Sequence, residues 1–248
     1  SLVIRKEKGR LRNYFHIGTG NYNSTTSRFY TDIGFLSTDT EIASDLIELF
    51  NYLSGFSKQK NYKKLLVSPF SMRKKFIFLI EREILHAKNG KKAEIIAKMN
   101  SLVDPEIINL LYKASGVGVK IKLIIRGICC LYPQKKDLSE NIYVTSILGH
   151  FLEHSRIFWF YNDNKSEAYI GSADWMRRNL DRRIEAVTPI EDIKLKKQLY
   201  DLLNIYLNDS YFAWQMDSNG NYFKKESTIN SNKSQFELIE GWHELNNV

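Results

Sequence analysis

With 248 residues, 43% of them hydrophobic and 13% aromatic, the chain can bury one large core or two modest ones and is too apolar for a disordered segment. A formal charge of +8 points to a polyanionic partner, because a positive field concentrates phosphate-bearing ligands; the blander reading is a lysine-rich, solvated surface. The longest apolar run, 121–131, is broken by Lys122 and Arg126 and falls short of the roughly 20 residues a membrane span needs. Cys129 and Cys130 are neighbours, which is poor geometry for a disulfide and argues for a reducing cytoplasm rather than a stapled extracellular scaffold.

Ser1 to Ile4 reads as the middle of a strand, so the chain is expected to be a fragment. Arg10 to Gly18 reads as a strand entering a glycine turn and a polar loop. Thr38 and Glu41 predict a capping box ahead of Ile42, Leu46, Ile47, Phe50 and Leu53, which recur on one helical face until Gly55. A lysine-rich connector, 57–64, marks a domain boundary. Beyond it, Leu65 to Pro69 open a fresh α/β pattern. Met72, Phe76, Leu79, Ile80 and Ile84 predict a second helix closed by Asn89 and Gly90. Asp104 at N-cap and Pro105 at N1 start a third, which Gly116 stops.

Val119, Ile121, Leu123 and Ile125 then alternate as a strand ending at Arg126 and Gly127, the end of an open α/β sheet where ligands bind. Further strands are expected over 142–146, 156–161, 168–171 and 184–188, and a long helix over 192–207. The expected fold class is therefore α/β, in two lobes, with domains at 1–64 and 65–218 and a polar tail of low functional weight at 219–248.

Two segments resemble each other at a spacing of 153 residues: Ile17-Gly18-Thr19-Gly20-Asn21-Tyr22 and Ile170-Gly171-Ser172-Ala173-Asp174-Trp175. At that spacing Thr31-Asp32 meets Ile184-Glu185. Short matches of this kind also arise by chance. His154 lies just before a strand pair ending in the second Gly-Ser element, with Arg156 two residues on. This arrangement resembles the phospholipase D superfold, in which two pseudo-symmetric halves each supply a histidine, a cation and a Gly-Ser turn to one phosphate site, the cations and hydroxyls holding the charged oxygens. An imidazole so placed can attack phosphorus. The spacing puts the first-half counterpart of His154 at or just before Ser1, so the first lobe is expected to be truncated.

His16 to Asn23, with Arg28-Phe29-Tyr30-Thr31-Asp32, resembles the polyphosphate kinase family. Leu66 to Pro69, Asn100 to Asp104, Ile125 to Cys129, Leu152 to His154 and Ser172 to Asn179 match the C-terminal half of that family in order. The resemblance implies reversible transfer of the ATP γ-phosphate to inorganic polyphosphate through a phosphohistidine. It places Tyr30, Arg126 and His154 on the nucleotide or its phosphates, His154 also as a catalytic group. It puts the phosphorylated histidine and the Mg²⁺-holding arginines before Ser1, so this chain is expected to carry no complete metal site and to be inactive alone.

ATP or ADP and polyphosphate are the implied substrates, the full-length protein an implied homo-oligomer without nucleic acid, and the place cytoplasmic, with peripheral membrane association left open. The rival readings are a phospholipase D-like phosphodiesterase or nuclease, and a basic polyanion-binding module. Each residue also has a bland alternative. Arg126 could be a strand-end surface charge, His154 a core histidine and Tyr30 a packing ring. His16 reads as structural, and Arg177, Arg178, Arg182 and Arg183 as a solvated face or an anion path. His86 and His243 read as surface residues.

Overall fold

A computed structural model describes residues 1–58, 61–226 and 231–246. The first lobe holds β1 (Leu2–Glu7), β2 (Arg10–Gly18), β3 (Tyr30–Thr31), β4 (Gly34–Ser37) and α1 (Thr40–Leu53). The second begins with β5 (Leu66–Ser68), α2 (Met72–Lys88), β6 (Glu94–Met99), α3 (Pro105–Gly116), β7 (Lys120–Ile125), β8 (Ile142–Ile147) and β9 (Leu152–Glu153). It continues through β10 (Ile157–Phe160), β11 (Glu167–Gly171), α4 (Arg177–Asp181), β12 (Glu185–Ile190), α5 (Ile193–Asn208), β13 (Ala213–Met216), β14 (Tyr222–Lys224) and α6 (Ser234–Asn246). The fold is mixed α/β, as expected. No described helix is long and apolar enough to cross a membrane.

In the first lobe, β1, β2 and β4 form an antiparallel sheet whose Phe15 and Ile17 pack on Ile42, Leu46 and Leu49 of α1. The helix is capped one residue later than the sequence suggests. Asp39, not Thr38, is the N-cap, and its carboxylate accepts from the Glu41 N–H at 3.0 Å and the Ile42 N–H at 2.8 Å. A carboxylate satisfies two orphan donors and meets the positive end of the helix dipole, where a hydroxyl offers less. Lys64 Nζ lies 3.1 Å from Asp39, 3.1 Å from Glu41 and 2.7 Å from Glu191, which ties α1 to the β12–α5 turn.

The second lobe is built on a nine-stranded sheet ordered β14-β13-β8-β7-β6-β10-β11-β12-β5. Only β6, β7 and β8 pair in parallel; the other strands pair antiparallel. All six residues of β6 are buried, the mark of a strand covered on both faces. Residues from α2 and α3 pack one face and residues from α5 the other. Residues beyond Asn219, expected as a polar extension, remain in the fold: β14 pairs with β13, and the Ser234 N–H at the start of α6 donates to buried Asp209 at 2.7 Å. Trp242 and His243 lie outside the side chains described.

Arg73 of α2 binds Asp104 at 2.6 Å, Glu106 at 2.7 Å and Asp181 at 2.6 Å, joining α2 to the first turn of α3 and to α4. Burial opposes ionisation of Asp104, but the Arg73 guanidinium and the Ile107 N–H outweigh it and hold the carboxyl below its usual value. Such a contribution is complete above the unfolded pKa, near ~4, and is lost as pH falls through the folded one. Arg73→Ala is therefore expected to cost about 3–5 kcal/mol, since it strands a buried charge. The loss should be large in urea titrations at pH 7 and should shrink as the pH falls through the lowered, folded-state pKa of Asp104. A loss that stays the same down to the acid limit of folding would show that the pair is not its source.

Two short strands join the lobes. β3 pairs with β9 in parallel, Tyr30 against Leu152 and Thr31 against Glu153. The Leu152 N–H donates to the Phe29 carbonyl at 2.8 Å, and the His154 N–H to the Thr31 carbonyl at 3.2 Å. This seam sets Tyr30 beside His154.

Candidate active site

The site lies along one edge of the large sheet. Asn100 follows β6, Arg126 follows β7, and Ser172 and Asp174 follow β11; His154 and Arg156 precede β10, and Glu185 opens β12. Parallel strands running with β6 and antiparallel strands running against it bring ends and starts to the same edge. The position expected for Arg126 from the pattern of β7 is therefore shared by residues from five strands.

His154 is the centre. Its ring sits 4.8 Å from the Tyr30 ring, centroid to centroid, at 42°. Its Nδ1 is 2.9 Å from Asp32 Oδ1. Arg156 Nη1 lies 3.3 Å from Nδ1 and 3.1 Å from Nε2 and donates to the His154 carbonyl at 2.8 Å and the Thr19 carbonyl at 3.0 Å. The imidazole thus stands between a carboxylate on one nitrogen and a buried cation. Such a partner fixes the tautomer and orientation of a histidine that moves protons or phosphoryl groups. A core histidine would be closed in by apolar neighbours; this one has ionic groups on two sides, and its side chain keeps 12% of its exposure.

From Arg156 the contacts run on to Arg126. Arg156 Nε donates to Asp174 Oδ1 at 3.1 Å, which also accepts from the Asn100 N–H at 2.8 Å. The Asn100 side-chain oxygen accepts from Arg126 Nε at 3.0 Å and Nη2 at 2.7 Å. Arg126 is thus anchored through two of its nitrogens, and Nη1 has no protein partner among the described residues. Gly127 is required by close approach: a Cβ there would come 2.9 Å from the Asn100 carbonyl. The structure brings Tyr30 and His154 into contact and links Arg126 to them only through Asn100, Asp174 and Arg156.

The repeat is geometric as well as textual. β2 pairs with β4 at Phe15–Ser37, His16–Leu36, Ile17–Phe35 and Gly18–Gly34. β11 pairs with β12 at Ala168–Ile190, Tyr169–Pro189, Ile170–Thr188 and Gly171–Val187, every pair displaced by the same 153 residues. Thr19 donates to Asp32 at 2.8 Å, and its counterpart Ser172 donates to Glu185. Asn179 Nδ2 donates to the other oxygen of Glu185 at 2.6 Å. The two hydroxyls expected to hold phosphate oxygens are therefore spent on carboxylates. A Cβ at Gly20 would collide with Asp32, and one at Gly171 with the Ala186 carbonyl, so glycine is needed at both turns.

Beneath His154 lies a polar cluster that the sequence does not announce. Glu153 is 2% exposed and Lys98, the penultimate residue of β6, is 1% exposed. Lys98 Nζ is 3.0 Å from Glu153 and donates to Ser155 Oγ at 2.7 Å. Burial pushes the lysine below its ordinary pKa, against the pull of Glu153. The one signal available was a lysine inside the otherwise apolar run Ile95 to Met99. Asp32 and Asp174 are visible beforehand in both the repeat and a motif, Glu185 only as an aligned position of the repeat and Asn100 only as a letter of a motif, none of them with a role.

The other expected positions divide. His16 packs across the Gly18–Gly34 pair, where a Cβ on either glycine would strike its ring, and its Nδ1 meets the Tyr22 hydroxyl. Arg177, Arg178, Arg182 and Arg183 are exposed. His86 is half-buried rather than a free surface residue, with Nε2 3.2 Å from Asn162. Cys129 is half-buried and its thiol is pushed up to about 11 by burial; Cys130 is exposed.

Residues 1–59 match the family described as Polyphosphate kinase C-terminal domain 1, and residues 65–235 match Polyphosphate kinase C-terminal domain 2. The chain belongs to the polyphosphate kinase family. It is 60% identical over 245 residues to a polyphosphate kinase of Prochlorococcus marinus, covering 98% of this chain and 34% of that protein. The polyphosphate kinase of Dictyostelium discoideum is 49% identical over 237 residues, 95% of this chain and 22% of that protein. The crystal structure of polyphosphate kinase from Porphyromonas gingivalis superposes with a TM-score of 0.90 at 39% identity, over 98% of this chain and 38% of the other. The chain thus spans 22% to 38% of the length of these relatives.

Proposed function

We propose that this chain forms the nucleotide- and phosphate-binding part of an enzyme that moves the ATP γ-phosphate reversibly to inorganic polyphosphate through a phosphohistidine. The observation that carries the reading is His154, set against Tyr30 with Asp32 on Nδ1 and Arg156 over the ring, within a chain of this family. In the first step a histidine nitrogen attacks the γ-phosphorus, the bond to the bridging oxygen breaks and ADP leaves. In the second, a terminal polyphosphate oxygen attacks, the P–N bond breaks and the chain grows by one phosphate. Tyr30 offers a ring face to the base. Arg126 offers its unpaired Nη1 to a phosphate oxygen. His154 holds or gives a proton at the leaving oxygen.

The duplicated turns support two pseudo-symmetric, phospholipase D-like halves around one phosphate site. Phe15 and Ala168 are equivalent; the first faces Leu2 and the second Trp159. Counting back from Trp159 to His154, and by the same step from Leu2, puts the first-half histidine before Ser1. The nucleophile would be supplied from there.

Mg²⁺ is the expected companion of the nucleotide, and when bound it would offset phosphate charge. The acids of this site do not fit it. Asp32, Asp174, Glu153 and Glu185 are already engaged by histidine, arginine, lysine, amide or hydroxyl groups. The ligands of the ion are expected before Ser1.

Incubation with labelled ATP tests the reading. The full-length enzyme should gain acid-labile, base-stable phosphate and extend polyphosphate, and the chain of residues 1–248 alone should gain none. Label on the isolated chain, or cleavage of DNA or lipid by the full-length enzyme without polyphosphate synthesis, would overturn it.

A further inference from the structure

His154 follows a strand of only two residues, β9, so an extended ladder does not hold it in place. The groups on either side of it in sequence do. Ser155 receives Lys98 at 2.7 Å. Glu153 receives Lys98 at 3.0 Å through Oε2 and the Thr31 hydroxyl at 2.8 Å through the same oxygen. Its other oxygen, Oε1, accepts from Gln235 Nε2 at 2.7 Å.

Gln235 comes from the first turn of α6, more than eighty residues further along the chain, and is 2% exposed. Its amide also clasps one residue at both backbone groups: Oε1 accepts from the Phe151 N–H at 3.1 Å and Nε2 donates to the Phe151 carbonyl at 2.9 Å. Three hydrogen bonds from one buried side chain thus fix residues 151 and 153, immediately before the histidine. Gly149 leaves the space; a Cβ there would collide with Gln235 Oε1. With Leu238 and Ile239, Gln235 also walls a 630 Å³ cavity that Tyr30, Thr31 and Phe151 line from the other side.

We propose that Gln235 is a positioning residue for phosphoryl transfer: the C-terminal helix acts through Glu153 and Phe151 to hold His154 against Asp32 and Tyr30. This rests on the reading of His154 as a catalytic group. Gln235 touches no reacting atom, so its loss should reach the rate through the histidine alone.

The test uses the full-length enzyme and compares Gln235→Ala, His154→Ala and the double variant, with Glu237→Ala on the exposed side of α6 as a control. Gln235→Ala should lower kcat about tenfold with KM for ATP unchanged, since misplacement by about 1 Å of a catalytic group costs up to ~10²-fold. In the His154→Ala background the same substitution should change the residual rate by less than about twofold, because the two act as one unit. Gly149→Ala, which displaces the amide from the opposite side, should reproduce the kcat loss. Equal losses in both backgrounds, or a normal kcat in both Gln235→Ala and Gly149→Ala, would overturn the proposal while leaving the role of His154 intact. A normal rate in His154→Ala would instead remove the reading on which the proposal stands.

Discussion

His154→Ala in the full-length enzyme is expected to lower turnover by about 10²–10⁴, the usual worth of a positioned acid–base group, with KM for ATP little changed. The geometry sets out what that loss contains. Asp32 meets Nδ1 at 2.9 Å and is itself held by Thr19 at 2.8 Å, so it directs the ring and selects which nitrogen carries the proton. Asp32→Asn keeps the shape, but its amide could present a donor where the imidazole also presents one; a loss of about 10–10²-fold follows from a misplaced tautomer. Combined, the two substitutions should cost no more than His154→Ala alone, because the carboxylate acts only through the ring. Steady-state polyphosphate synthesis at saturating ATP measures all three. Additive losses would mean that Asp32 works on the phosphate or the fold by itself.

Much of the scaffold that carries this site was legible in the sequence, for a physical reason. Asp104 and Pro105 are a helix start whichever fold surrounds them, and Asn89-Gly90 a helix end, because caps satisfy local backbone groups; the structure has α3 beginning with Asp104 as N-cap and α2 ending at Lys88. The alternation of β7 likewise placed Arg126 at the sheet edge without knowledge of its neighbours. What escaped was non-local. Thr38 and Asp39 both qualify as caps, and Lys64, 25 residues on, reinforces the second. The seam between β3 and β9 joins residues more than 120 positions apart through two residues each, too short for any periodicity to show. Lys98 and Gln235 look like ordinary polar residues until the fold buries them against Glu153. The same gap made the segment beyond Asn219 look dispensable, since its composition is polar and its contacts lie elsewhere in the chain.

Glu185→Gln should abolish most phosphohistidine formation, by about 10²–10⁴ in rate, although among the described residues the Glu185 carboxylate accepts only from Ser172 and Asn179. The reason is the repeat. Four cross-strand residue pairs and the hydroxyl-to-carboxylate bond carry over from Thr19–Asp32 to Ser172–Glu185 at one constant spacing. In the first copy the carboxylate also holds a histidine, His154, supplied by the other half. Two-fold equivalence therefore aims Glu185 at the histidine supplied by the first half, the one proposed to accept the phosphoryl group. Asp32→Asn and Glu185→Gln would then fail at different places: the second loses labelled enzyme, while the first still forms it, only more slowly. Acid-quenched labelling of the full-length enzyme on the millisecond-to-second scale separates them. Wild-type labelling in Glu185→Gln would show that the symmetry of the backbone does not extend to the chemistry.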